Sequence, residues 1–271
     1  MATLPDPGAI AELRAARSRV LEAVAEACGR AGRDPAGVQL VAVSKLVGAD
    51  RLVAAVAAGL TLLGENRVQE AESKAPNVPG AHWHLIGPLQ SNKARRAVEL
   101  FEVIESVDST ELARRLDRLA GEIVTTPGAP RADSAGEARS AALGVYLQVN
   151  VDRDAAKVGL LPEALEAELS GLASLPNLSL LGLMTVGRLV DSPEEARPTF
   201  ARLRELSVRL RAEEPALRPG LSMGMSDDYS VAVEEGATVI RVGRALFGQR
   251  QGPDARPGPD ARPGAQDRQG R

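Results

Sequence analysis

A single cysteine, Cys28, stands in the 271 residues. No intramolecular disulfide can form, and a reducing compartment fits. Cys28 lies in an alanine-rich helical stretch, where it reads as a small buried hydrophobe and not as a nucleophile. Aromatic residues make up only 2% of the chain, so Ala, Val and Leu must build the core. No apolar run approaches the ~20 residues that span a bilayer. The start, Met1 to Pro7, lacks the basic residues and apolar run of a secretion signal, so the expected location is the cytoplasm, with no membrane partner. A formal net charge of −3 argues against a general nucleic-acid binder, which would be basic. There are two histidines, His82 and His84. They would share a strand face, but carboxylates would have to complete any metal site, and no metal is expected.

What is present is an alternation of short apolar runs and amphipathic stretches. Ala9 to Arg30 has helical spacing, with Gly29 or Gly32 as its stop. Leu40 to Val43 is apolar without alternation, as in a strand buried on both faces, and it ends at Ser44-Lys45. Strands follow at 60–63, 83–86, 103–107, 145–151, 178–184, 221–225 and 238–242. Helical segments separate them: Asp50 to Ala58, Val68 to Lys74, one from Ser91, one capped by Asp108 with Glu111, one opened by Pro162, one restarted at Pro198 and one capped by Ser226.

Eight strands with helices between them predict a single α/β (β/α)8 TIM-type barrel with an extra N-terminal helix. An open doubly wound sheet is the alternative, weakened because no Gly-x-Gly-x-x-Gly follows the first strand. The domain reading is a flexible N-terminus at 1–8, a barrel over 9–249 with a loop insertion at 121–144, and a disordered tail at 250–271. In that tail Gly-Pro-Asp-Ala-Arg-Pro occurs twice in tandem, with nothing to bury.

A parallel barrel gathers the C-terminal ends of its strands on one face, where active sites form. Lys45 would share that mouth with Asn66, His84, Ser106, Asn150 and Thr185, and with the ends of strands seven and eight. Phosphate sites on this fold frequently use those last two loops. Ser222-Met-Gly-Met-Ser226 carries Gly224, and Arg241-Val-Gly-Arg244 carries Gly243. Each glycine lets backbone N–H groups approach an anion. Either motif alone reads as an ordinary strand–helix turn; the two together point to an anion site. Asp227 and Asp228 would repel a phosphate and are expected on the outer side of the helix start. Ser91-Asn-Lys-Ala-Arg-Arg96 reads as a solvated basic helix start.

Six ordered motifs carry a family resemblance: Val41-Ala-Val-Ser-Lys45, Gly64-Glu-Asn-Arg-Val-Gln-Glu70, His82 to Lys93, Gly182-Leu-Met184, Ser222 to Asp228 and Arg241 to Gly248. From about Leu13 to Gly248 the chain resembles the pyridoxal phosphate homeostasis proteins, whose fold is that of the alanine racemase N-terminal barrel. The resemblance implies pyridoxal 5′-phosphate (PLP) as cofactor, held by Lys45 as an internal aldimine. It places Arg241 against the pyridine nitrogen, and Ser222, Gly224, Ser226, Gly243 and Arg244 around the phosphate. Asn66 and Met184 would line the ring pocket. Three residues depart from the family pattern: Leu46 stands where Thr is usual, Gly48 lies near a usual Pro, and Arg244 replaces a small hydroxyl residue.

The resemblance also bears on chemistry. An arginine against the ring nitrogen leaves it unprotonated and the electron sink weak. Racemisation needs a second acid/base, which in alanine racemases resembles a tyrosine from an additional β domain; here Tyr229 and His84 are the candidates, without an evident orienting partner. The expectation is a PLP carrier in cofactor homeostasis, a monomer serving PLP-dependent apo-enzymes, with no committed turnover. An amino-acid racemase or other aldimine enzyme is the alternative. A cofactor-free Schiff-base aldolase would not need the two glycine motifs.

Overall fold

The computed structural model describes residues 5–125, 142–187 and 190–248. Its centre is a closed barrel of eight parallel strands in sequence order: β1 Gln39–Val43, β2 Leu62–Glu65, β3 His82–Leu85, β4 Val103–Val107, β5 Leu143–Gln148, β6 Leu178–Met184, β7 Gly220–Ser222 and β8 Val239–Val242. β8 closes onto β1 with Val41 opposite Arg241 and Ala42 opposite Val242. The outer ring comprises α1 Pro7–Ala31, α2 Ala49–Ala57, α3 Val68–Lys74, α4 Ala94–Leu100, α5 Thr110–Thr125, α6 Pro162–Ala173, α7 Arg197–Glu213, α8 Tyr229–Glu234 and the single turn α9 Arg244–Phe247.

The extra N-terminal helix has a structural task. α9 is only four residues long, too short to cover the seam between β8 and β1. α1 packs against α8, α2 and α9 and covers that seam, burying Leu13, Ala16, Val20, Val24, Ala27 and Cys28. It starts earlier than the alanine run suggests. The Asp6 carboxylate accepts hydrogen bonds from the N–H groups of Gly8 and Ala9, and Pro7 fits the first turn. The helix therefore begins at Pro7, inside the stretch 1–8 that the sequence reading set apart from the barrel. Gly32, at φ 64°, ends the helix in the left-handed region.

Between sheet and helices, Ala42, Leu63, Trp83, Leu85, Ile104, Val145, Leu147, Leu183 and Val242 join the buried helix faces in one outer core. Inside the barrel, Val41, Tyr146, Met184 and Val239 form a second cluster, with Leu62, Ile86, Val103 and Leu181 against it. Small residues keep the interior from overfilling. Gly182, at φ 150°, follows a register shift between β5 and β6. A Cβ there would lie 1.8 Å from the Gly220 carbonyl oxygen.

Several boundaries differ from the sequence reading. α5 runs to Thr125, into the expected 121–144 loop, and β5 begins at Leu143; residues 126–141 lie outside the described residues, as do 1–4 and 249–271 with the tandem repeat. α5 is capped by Ser109, whose hydroxyl accepts from the Leu112 N–H at 3.3 Å, not by Asp108. Ser91 is the first residue of a 3-10 turn before α4, and the residue at that turn's N-cap is Gln90. β7 stops at Ser222, three residues before the expected Met225. Pro198 does restart a helix: a 3-10 turn over Pro193–Ala196 precedes α7, and Ser192 donates to Glu195 at 2.9 Å.

Candidate functional site

The candidate site occupies one contiguous half of the mouth, formed by β7, β8, β1 and β2. Side chains alternate along each strand, and Val41 faces the interior; Val43 and Lys45 follow it at the period of two. The β1–β8 register places Val43 beside Gly243, where a glycine Cβ would lie 3.3 Å from the Val43 Cβ. Lys45, half-buried, therefore leaves β1 next to the β8 anion loop.

Ser226 and Gly243 meet across the two glycine motifs. The Gly243 N–H donates to the Ser226 hydroxyl at 3.2 Å, at the long edge of a normal hydrogen bond. An anion oxygen between them would receive both the N–H and the O–H. Gly224, at φ 92°, permits this approach: a Cβ there would lie 2.6 Å from the Ala232 Cβ. Ser226 thus faces Gly243 and does not cap α8. The residue before α8 is Asp228, which is buried and accepts from the Met225 N–H at 2.6 Å. Burial pushes the Asp228 carboxyl above its ordinary range, against the pull of the Met225 N–H and Arg241. Arg244 is exposed and its guanidinium pairs with Asp227, so its charge is spent on a neighbour.

Below the mouth lies a chain of buried polar groups. Arg241 is 4% exposed; one Nη donates to the Ser222 hydroxyl and the other to the Thr185 carbonyl at 2.8 Å. The Ser222 hydroxyl donates to Glu105, whose other oxygen accepts from the His84 Nδ1 at 2.7 Å. An ionised carboxylate can only accept, so the His84 Nδ1–H is the donor in this contact. Burial disfavours charge on Glu105. The His84 hydrogen bond, the charges of His84 and Arg241, and the Ser222 hydroxyl outweigh it and hold the carboxyl below its ordinary range. Ser222 is fully buried and joined to Arg241 and Glu105, beneath the Ser226–Gly243 pair.

Asn66 follows β2, half-buried, at the rim next to β1. Met184, on β6, is fully buried in the inner cluster beneath the mouth. Asn150 shapes the β5–α6 loop: its amide donates to the Asp154 and Lys157 carbonyls and its oxygen accepts from the Asp154 N–H. The two histidines do not converge. His82 pairs with Glu102 and His84 with Glu105. Among the described residues no group of three or more His, Cys, Asp or Glu could hold a metal ion.

Chemically, this side of the mouth offers a primary amine and an amide–hydroxyl pair suited to a phosphate, with a fixed guanidinium below the mouth. A family model described as the alanine racemase N-terminal domain matches residues 21–251. The pyridoxal phosphate homeostasis protein of Pseudomonas aeruginosa is 42% identical over 235 residues, covering 86% of this chain and 94% of that one. The chain belongs to the pyridoxal phosphate homeostasis protein family. The Aquifex aeolicus relative of the same name is 37% identical over 236 residues, 86% of this chain and 96% of its own. Among solved structures, PipY of Synechococcus elongatus with PLP bound is 43% identical, with a TM-score of 0.68, covering 83% of this chain and all of that one. Alanine racemase of Clostridium difficile, at 15% identity and a TM-score of 0.62, shares the fold; the match covers 90% of this chain and 58% of the racemase.

Within this homeostasis-family barrel, sequence reasoning missed Glu105. A signal existed: Val103-Ile-Glu-Ser-Val107 places a carboxylate inside a buried strand, which requires a partner. It also left His84 without an orienting group, whereas Glu105 orients it. The set behind Lys45 (Glu65, Glu70 and Lys74) was likewise not visible, because α3 reads as an ordinary charged surface helix.

Proposed function

We propose that this chain binds PLP through Lys45 and acts as an intracellular carrier of the cofactor, buffering it or delivering it to PLP-dependent apo-enzymes. The observation that carries the reading is that β1, two residues before Lys45, runs against Gly243, whose N–H meets the Ser226 hydroxyl across the β1–β8 seam. The family membership and the PLP bound to PipY support it. When bound, PLP supplies an aldehyde that condenses with an amine and a pyridine ring that can delocalise electrons. Lys45 is the attachment point. Ser226, Gly243 and the turn permitted by Gly224 receive the phosphate, with Ser222 as support beneath and Arg244 contributing through its backbone. Asn66 borders the ring and Met184 closes the floor.

Arg241 sets the limit on chemistry. Its two Nη groups are held by Ser222 and Thr185, and a guanidinium does not surrender its proton. A ring nitrogen facing it accepts a hydrogen bond and stays unprotonated, which favours holding the cofactor over using it. One observation favours a second reading, amino-acid racemisation: the His84–Glu105 pair is an oriented acid/base in the barrel.

Titration of the purified protein with PLP tests both. A visible absorbance band is expected, and it should be lost in Lys45→Ala; a protein that shows no band refutes the carrier assignment. Amino-acid turnover at ordinary enzyme rates, lost in both Lys45→Ala and His84→Gln, would replace it with the racemase reading.

A further inference from the structure

The turn that presents Lys45 is held from behind. Ser44 and Glu65 are fully buried on the outer side of the sheet, under α3. The Ser44 hydroxyl donates to Glu65 at 2.8 Å, and the Lys74 Nζ reaches both Glu65 at 2.7 Å and the Ser44 carbonyl at 3.0 Å. Lys74 also contacts Glu70 at 3.2 Å, and that same Glu70 oxygen accepts from the Leu46 N–H at 3.0 Å. Two residues of one helix therefore grip the backbone on both sides of Lys45: Lys74 through the carbonyl before it and Glu70 through the amide after it.

Leu46 explains what the grip resists. It stands at φ 64°, in the left-handed region, and the residue is 73% exposed. A residue with a Cβ is disfavoured there and will leave unless surrounding contacts hold it. Packing does not hold an exposed side chain; the turn is closed by the Val47 N–H donating to the Ser44 carbonyl at 3.0 Å, and the Glu70 hydrogen bond is the side-chain tether that ties it to α3. Burial works against charge on Glu70, but the Leu46 N–H and Lys74 outweigh it and keep the carboxyl below its ordinary range, ionised and accepting.

We propose that Glu70 and Lys74 are positioning residues for Lys45. They fix the left-handed Leu46 turn so that the Lys45 amine is presented at the mouth beside Gly243 before the cofactor arrives. The inference rests on Lys45 being the PLP attachment point. Without the grip the turn samples other conformations, and the fraction competent to bind falls, so apparent affinity falls with it.

The test is PLP absorbance titration of the full chain for wild type, Lys45→Ala, Glu70→Ala and the double variant Glu70→Ala/Leu46→Gly, each checked by thermal unfolding without PLP. Glycine adopts φ 64° freely, so the double variant removes both the grip and the need for it. Glu70→Ala should weaken PLP binding about tenfold, equivalent to about 1.4 kcal/mol, with a melting temperature close to wild type. The double variant should return most of the way to wild-type affinity. A Glu70→Ala protein that binds like wild type overturns the proposal, and so does a double variant as weak as Glu70→Ala alone. If wild type itself shows no band, the attachment at Lys45 fails instead, a result distinct from either.

Discussion

Glu105→Gln probes the buried polar chain under the mouth. In the native protein the Glu105 carboxylate, fully buried, accepts from His84 at 2.7 Å and from Ser222, and lies 3.9 Å from the Arg241 guanidinium. Glutamine keeps the shape but offers one accepting oxygen where two are needed, and it removes the buried counter-charge to Arg241. Breaking one side of a buried charge cluster costs about 3–5 kcal/mol. The retained acceptor and shape put this variant near 3 kcal/mol, the lower end of that range. For a domain of this size each kcal/mol moves the melting temperature by about 2–4 °C, so the expected drop is about 6–12 °C at pH 7. The sign of its pH dependence follows from linkage. Glu105 titrates lower in the folded state than its ordinary value of 4.5. Its stabilisation is therefore complete above that value and is lost as pH falls through the lower folded value. The gap between wild type and variant should be constant from neutral pH down to about pH 5 and close below 4.5. Other carboxylates titrate in the same window, but they are common to both proteins and cancel in the difference. Thermal unfolding of the apo-proteins by circular dichroism, stepped in pH, is the assay. A melting temperature within about 1 °C of wild type at pH 7 would refute the idea that these groups form one coupled charge cluster.

Gly224→Ala adds a Cβ at φ 92°, 2.6 Å from Ala232 and 3.0 Å from the Tyr229 Cα. It should cost about 2–4 kcal/mol and weaken PLP binding more than the loss of stability alone would, since the Ser226 turn must move off α8; differential scanning calorimetry and PLP titration measure the two effects. Burial and the nearby Glu105 charge push the Tyr146 phenol up to about 12. In ultraviolet titration of the native protein, the later of its two tyrosine steps should vanish in Tyr146→Phe, and a lone step near pH 10 in both proteins would contradict that burial.

The sequence by itself determined the architecture and proposed part of the candidate site. Apolar strands separated by capped amphipathic helices called for a parallel sheet covered on both faces, and the missing Gly-x-Gly-x-x-Gly after the first strand favoured the closed barrel over an open doubly wound sheet. The glycines at 224 and 243, and Lys45 at a strand end, were legible because backbone demands and charge placement are local properties. Element ends were less legible, as at Ser109, Ser226 and Thr125, because a cap is chosen by whichever hydroxyl or carboxylate reaches an N–H in three dimensions. What only the tertiary structure decided were the pairings between distant residues: Ser226 with Gly243, His84 with Glu105 and Ser222, and Lys74 with Ser44 and Glu65. The reason is register. Barrel closure and the stagger of each strand select which inward side chains share a layer and which strand end faces which helix, and no spacing along a single strand encodes that.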